Sequence, residues 1–87
     1  MTALERELDW IDEELLDLIK RRIDLDVRIE ESRVESGVTR FSHARELAVV
    51  RRYAQLGTAG PEMALLLLKL TRRTVAQRDE EDEPCED

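Results

Sequence analysis

The chain has 87 residues, of which 40% are charged and only 3% aromatic, and its formal net charge is -7. A chain of this length forms one small domain. A single copy buries only about 60% of its unfolded surface, so association with a second copy would stabilise it. The scarcity of aromatic residues argues against a β-sandwich or a β-barrel and favours helices.

The negative charge is concentrated near the C-terminus. Seven of the 21 acidic residues lie in residues 79–87, which leaves 14 acidic and 14 basic residues in the rest of the chain. We therefore divide the chain into a helical domain, 1–78, and an acidic tail, 79–87, that we expect to be disordered. The neutral domain has no broad basic patch, and we expect no nucleic acid partner.

The composition also excludes several kinds of site. Cys85 is the only cysteine and His43 the only histidine, which leaves no disulfide, no metal cluster and no Ser-His-Asp set. The first residues contain no apolar signal core, and the longest apolar run, 63–68, is too short to cross a bilayer. We expect a cytoplasmic protein with no membrane association, no metal and no cofactor.

The first predicted helix is unusually long. No Gly or Pro interrupts 3–36, and apolar residues recur there every three or four positions, which predicts one helix of roughly 50 Å. Such a helix extends beyond any core that this short chain can build alone. We therefore predict a homodimer in which the long helix lies beside its copy.

Two arginines lie on the apolar side of this helix. Arg22 occupies a place where the pattern predicts an apolar residue, and Arg33, eleven residues later, projects from nearly the same side. Burying an unpaired charge is costly, so we expect an anion to compensate it. That anion is either a ligand or a carboxylate of the chain itself, such as Asp24 or Asp26. Alternatively, Arg22 extends along the apolar surface and keeps its charged end in water.

Two shorter helices follow. Gly37 ends the first helix, Ser42 is a suitable N-cap, and we predict a second helix over 43–56. Pro61 marks a typical helix start, and the third helix is expected over 61–77. The chain is therefore predicted to be all-α, with three helices in each protomer.

The order and spacing of the charged residues resemble a known family. The segments are Leu-Glu-Arg-Glu-Leu at 4–8, Ile-Asp-Glu-Glu-Leu-Leu at 11–16, Lys-Arg-Arg at 20–22, Arg33, Thr-Arg at 39–40 and Ser-His-Ala-Arg-Glu at 42–46. Together they resemble the all-α class of chorismate mutases over roughly 4–74. The last two segments and the short third helix are most similar to the small actinobacterial subgroup.

The resemblance implies an intertwined homodimer with two active sites and the pericyclic rearrangement of chorismate to prephenate. That step needs no acid, base or nucleophile. It needs cations against two carboxylates and the ether oxygen, where negative charge grows as the bond breaks. In the resembling subgroup the activity is weak alone, and the first enzyme of the shikimate pathway docks on the dimer and raises it. We expect the same partner here.

The resemblance also assigns roles to four residues. Arg22 corresponds to the arginine that binds a substrate carboxylate. Arg33 corresponds to the cation that contacts the ether oxygen and a carboxylate. Glu46 corresponds to the glutamate that accepts from the ring hydroxyl, and Arg45 to the arginine that orders this network.

Other positions depart from the family pattern. Glu5 stands where an arginine usually reaches into the partner protomer's site, and the nearest substitute, Arg6, lies about 100° further round the helix. Ser42 stands where efficient members have an aspartate, and Arg72 where many have a glutamine. We include Arg6, Ser42 and Arg72 among the substrate-binding candidates, although Ser42 is also a plain helix cap.

Three alternatives remain open. A related isochorismate or aminodeoxychorismate enzyme would bind nearly the same dianion. A non-catalytic or regulatory dimer of the same fold is compatible with the reversed charge at Glu5. A helical bundle without any ligand would leave the substitution Arg22→Leu neutral or stabilising.

Overall fold

Three helices make up the fold of this computed structural model. It describes residues 1–37 and 41–82, the last of them by its backbone alone. The helices are α1 (Ala3–Glu35), α2 (His43–Tyr53) and α3 (Gly60–Asp82), and a 3₁₀ turn, Ala54–Leu56, continues α2. The described residues contain no strand. The prediction of an all-α fold with a long first helix is confirmed.

Helix α1 is closed at its start by a reciprocal cap. The Thr2 hydroxyl accepts a hydrogen bond from the Glu5 amide, and the Glu5 carboxylate accepts one from the Thr2 amide, each at 3.1 Å. These two bonds satisfy amides that the helix itself leaves without an acceptor. At the other end Gly37 adopts a φ of 76°, the left-handed conformation that commonly ends a helix.

The N-terminal half of α1 projects beyond the rest of the molecule. The radius of gyration is 16.6 Å, whereas a compact domain of this length would have a value of about 12 Å. Every residue of 1–18 is exposed. Its exposed apolar side chains include Leu4, Leu8, Ile11, Leu15 and Leu18. We call these five residues the α1 stripe; it is an apolar surface that the described part of the protomer leaves uncovered.

The core lies where the C-terminal half of α1 meets α2 and α3. Helix α3 packs against both of the others. The buried apolar residues are Val27 of α1, Val49 of α2, and Ala64, Leu67, Leu68 and Val75 of α3. The core is small, and it places the charged residues of α1 and α2 at its edge.

The backbones of α2 and α3 approach each other closely at Gly60. A Cβ atom on this buried residue would lie 1.8 Å from the carbonyl oxygen of Tyr53. No side chain fits in that space. A glycine at this position therefore lets α3 fold back against the end of α2.

Helix α3 is longer than predicted. We expected it to end near residue 77 and the tail to begin at 79, but the helix continues to Asp82. The reason is a tertiary contact with α1: Arg78 Nη1 donates to Glu31 at 3.1 Å, and Arg78 Nη2 lies 3.4 Å from Asp24. The hydrogen bond to Glu31 raises the pKa of Arg78 above its ordinary value. The rest of the predicted tail, 83–87, lies outside the described residues, as does the segment 38–40.

Within the described residues, no helix combines the length and the apolar character needed to span a membrane.

Candidate active site

Two arginines from different helices share one carboxylate. Arg22 Nη1 of α1 lies 3.7 Å from Asp26 Oδ2, and Arg45 Nη2 of α2 lies 3.5 Å from Asp26 Oδ1. The hydroxyl of Thr71 on α3 donates to Asp26 Oδ2 at 3.1 Å. Asp26 is only 6% exposed. The three helices therefore meet at one buried carboxylate with two cations beside it.

The pairing of Arg22 with Asp26 is incomplete. The distance of 3.7 Å is too long for a hydrogen bond. Arg22 Nη1 is buried and has no acceptor among the residues that the structure describes. A buried donor without an acceptor costs roughly 1–3 kcal/mol. Asp26 thus supplies the negative charge near Arg22 that one of the sequence-based alternatives expected from the chain itself. It does not supply a hydrogen-bond acceptor for Arg22 Nη1.

A cavity opens beside the two arginines, between α1 and α2. Its volume is about 370 Å³, within the range of about 300–1,000 Å³ that small-molecule sites occupy. The lining residues are Arg22, Leu25, Asp26, Ile29, Arg45, Ala48, Val49 and Arg52. Three guanidinium groups and a single carboxylate make this lining positive, which suits a small anion.

Glu46 is held by Arg72 from the neighbouring helix. Arg72 Nη2 donates to both carboxylate oxygens of Glu46, at 2.6 and 2.7 Å. The same guanidinium group lies 4.9 Å from the centre of the Phe41 ring, in cation–π contact. Both oxygens of Glu46 thus accept from one cation, which fixes the orientation of the carboxylate.

Ser42 begins α2, and a strained residue precedes it. Phe41 has a φ of 58°, a left-handed conformation that is rare outside glycine. Its amide donates to the carboxylate of Glu30, which is 3% exposed, at 2.7 Å. The Ser42 hydroxyl accepts from the Arg45 amide at 3.3 Å. Ser42 therefore acts as the expected helix cap, and it orients the helix that carries Arg45 and Glu46.

Arg33 and Arg6 lie apart from this cluster. The half-buried Arg33 lines a separate open groove of about 540 Å³, which shares Leu25 and Ile29 with the first cavity. Arg6 is exposed near the start of α1, at a distance of about 24 Å from Arg22 along the helix. Within one protomer the structure thus brings Arg22, Arg45, Glu46, Arg72 and Ser42 together, but it does not bring Arg6 to them.

Glu5 has a structural use that the sequence reasoning missed. Its hydrogen bonds with Thr2, the backbone bond first, lower the pKa of Glu5. The carboxylate belongs to the helix cap, and an arginine at this position could not accept from the Thr2 amide. The spacing Thr-x-x-Glu at residues 2–5 is the signal that could have predicted this.

Two further site residues, Glu30 and Thr71, were also missed, whereas Asp26 was named only as a possible counter-ion of Arg22. Asp26 and Glu30 follow Arg22 by four and eight residues, so helical periodicity places them on the same side of α1. That spacing was a usable signal. Thr71 contacts Asp26 across 45 residues of sequence, and no local pattern could have predicted that contact.

The described residues contain no group of three or more His, Cys, Asp or Glu side chains that could hold a metal ion.

Comparison with known proteins identifies the family. A family model described as chorismate mutase type II matches residues 4–79. This chain belongs to that family.

Relatives named intracellular chorismate mutase show the same affiliation. Those of Mycobacterium tuberculosis and Mycobacterium bovis are each 45% identical to this chain over 70 residues, which cover 80% of this chain and 67% of the relative. That of Mycolicibacterium smegmatis is 41% identical over 70 residues, covering 79% and 67%.

A solved structure shows the shared fold. It is a non-covalent complex of DAHP synthase and chorismate mutase from Corynebacterium glutamicum with a bound transition state analog. The matched chain superposes with a TM-score of 0.75 and 36% sequence identity, over 79% of this chain and 84% of that chain. The sequence-based predictions of the family, of its all-α fold and of chorismate mutase activity are confirmed.

Proposed function

We propose that this chain rearranges chorismate to prephenate in the cavity between α1 and α2, with Arg22 and Arg45 as the cations that bind the substrate. The observation that carries this assignment concerns Arg22, which lines a cavity of about 370 Å³ and whose buried Nη1 has no acceptor among the described residues. A carboxylate of the substrate supplies that acceptor.

The reaction suits a site built from fixed charges. One carbon–oxygen bond breaks and one carbon–carbon bond forms within the same molecule, so no proton or nucleophile has to come from the protein. The site must hold the folded conformer of the substrate and stabilise the charge that develops on the ether oxygen. Arg22 and Arg45 hold carboxylates, and Arg33 approaches the ether oxygen from the adjoining groove.

Glu46 is the acceptor for the ring hydroxyl. Arg72 fixes its orientation through two short hydrogen bonds. Ser42 contributes through the cap that sets the direction of α2. In this proposal Arg72 positions Glu46 and is not itself required to touch the substrate.

A second copy of the chain completes the protein. The exposed α1 stripe needs a cover, and pairing with the same stripe of a second α1 would bury it. Arg6 is too far from Arg22 to serve its own protomer. In an antiparallel pair it approaches the site of the other protomer, beside the groove that Arg33 lines. We therefore propose an intertwined homodimer with two sites.

A DAHP synthase is the proposed activating partner. The Corynebacterium chorismate mutase with the same fold forms a complex with such an enzyme. The departures at Glu5 and Ser42 favour weak activity alone, because the site lacks two charges that efficient family members have. A cytoplasmic location belongs to the same proposal and agrees with the name intracellular that the relatives carry.

The test is an assay of chorismate loss and prephenate formation, with and without a DAHP synthase from the same source. We expect conversion, faster with the partner, and a strong loss with Arg45→Ala but not with Arg51→Ala, an exposed arginine of the same helix. Isochorismate and aminodeoxychorismate are offered in parallel. Failure to convert chorismate under either condition would overturn the proposal, and so would faster turnover of one of the other two substrates.

A further inference from the structure

We propose that Asp26 is a proton-binding counter-ion of this site. Without a ligand its single negative charge offsets part of the positive charge of Arg22 and Arg45, and when a dicarboxylate binds these arginines Asp26 takes up one proton from solvent. The inference rests on the proposed function of the cavity. It adds a group that determines at which pH the substrate binds.

The position of Asp26 is the first support. Its two oxygens face the two guanidinium groups, at 3.5 and 3.7 Å, and it is almost completely buried. A substrate carboxylate that binds Arg22 or Arg45 therefore comes to lie beside the Asp26 carboxylate. Two carboxylates that share one site do not both stay ionised easily, because each disfavours the charge of the other.

The charge of the surroundings is the second support. Asp26 lines both the cavity of about 370 Å³ and a pocket of about 10 Å³ next to it. The charged residues of the two linings are three arginines and three carboxylates: Arg22, Arg45, Arg52, Asp26, Glu30 and Glu46. The lining of the cavity of about 370 Å³ is positive by itself, but the carboxylates of the adjoining pocket balance its arginines, so the two linings together carry no net charge before a dianion enters. From α3, the groups that face this cluster are Thr71 and, through Glu46, the cation Arg72.

Thr71 shows how a protonated Asp26 is accommodated. In the structure the Thr71 hydroxyl donates to Asp26 Oδ2 at 3.1 Å, and the carbonyl oxygen of Leu67 lies 3.3 Å from the same hydroxyl. Once Asp26 carries a proton it donates to the Thr71 oxygen, and Thr71 donates to Leu67 instead. A hydroxyl can do both at once. The neutral form therefore keeps hydrogen-bond partners for both Asp26 Oδ2 and the Thr71 hydroxyl.

The experiment is a calorimetric titration of the full chain with a bicyclic dicarboxylate analogue of the transition state, in buffers that differ in their heat of ionisation. We expect uptake of about one proton per site, and an affinity that rises up to about tenfold for each unit by which the pH is lowered. The variant Asp26→Asn should bind with no proton uptake and with an affinity that no longer depends on pH. In alkaline buffer it should bind more tightly than the unaltered chain.

The matched control is Asp24→Asn, an identical change two residues earlier on the same helix, at an exposed carboxylate outside the cavity. It should retain the proton uptake. Binding without proton uptake by the unaltered chain overturns this inference alone, and so does uptake that persists in Asp26→Asn. If the analogue does not bind at all, the proposed function and this inference both fail.

Discussion

Arg72 and Glu46 form the tightest charged contact in the described part of the site, with both Glu46 oxygens within 2.7 Å of Arg72 Nη2. This contact joins α3 to α2. An ion pair of this geometry has a direct consequence for activity, because a Glu46 carboxylate that lacks its cation would lose its fixed orientation.

Replacement of Arg72 tests this consequence. We expect Arg72→Ala to lower kcat/KM for chorismate about 10- to 100-fold, since a hydrogen bond to a charged group contributes roughly 1.5–3 kcal/mol. Arg73→Ala, the next and exposed residue of α3, should leave kcat/KM unchanged. Steady-state kinetics of both variants supply the check. Equal kcat/KM values for the two variants would show that Glu46 does not need Arg72.

Substitutions at Glu5 test whether a second protomer contributes to the proposed site. An arginine there would point toward the partner protomer's site, so Glu5→Arg should improve the KM for chorismate. Glu5→Gln keeps an oxygen that can accept from the Thr2 amide but removes the charge, and it should give an intermediate KM. The measurement is KM alongside helix content, because Glu5→Arg also breaks the cap with Thr2. An unchanged KM in both variants argues against any role of this end of α1 in the site.

The proposed dimer can be tested on the α1 stripe. Leu15 is exposed in the protomer and belongs to this stripe, so Leu15→Lys should place a charge inside the dimer interface and shift the protein toward monomer. Glu13→Lys puts the same side chain on the opposite side of α1 and should leave the dimer intact. Sedimentation velocity distinguishes the two states. A protein that is monomeric before any substitution contradicts the proposed assembly.

The close approach at Gly60 predicts a large effect on stability. A methyl group there would overlap the Tyr53 carbonyl, and Gly60→Ala should lower the free energy of unfolding by about 2 kcal/mol or more, because backbone must move. Gly37→Ala meets open space and only the strain of a φ of 76°, which costs roughly 1–2 kcal/mol. Urea unfolding followed by circular dichroism measures both. A larger loss of unfolding free energy in Gly37→Ala than in Gly60→Ala would contradict the close approach at Gly60.

The sequence predicted the helices well because their signals are local. The long uninterrupted period of α1, the glycine after it and the Ser42 cap lie within a few residues of the boundaries that they determine. The predicted end of α3 was wrong by about five residues, because Arg78 is held by Glu31 and Asp24 of α1. Local propensity carries no information about such a contact.

The site was predictable to a lesser extent. The family resemblance supplied Arg22, Arg45 and Glu46, and the structure places these three residues on adjoining faces of α1 and α2. It did not supply Asp26 as part of the site, nor the pairing of Arg72 with Glu46. The roles of all these residues toward a substrate stay predictions until they are tested.

We propose that the ligand of this cavity is a dianion held by Arg22 and Arg45. Titration of the bicyclic transition-state analogue into the unaltered chain and into Arg22→Leu tests this assignment, with Arg21→Leu, the adjacent exposed arginine, as the control. We predict saturable binding by the unaltered chain and by Arg21→Leu, an affinity lower by about 100-fold or more in Arg22→Leu, and no loss of stability in that variant. Equal affinity in Arg22→Leu and the unaltered chain, or no binding by either, would contradict the claim.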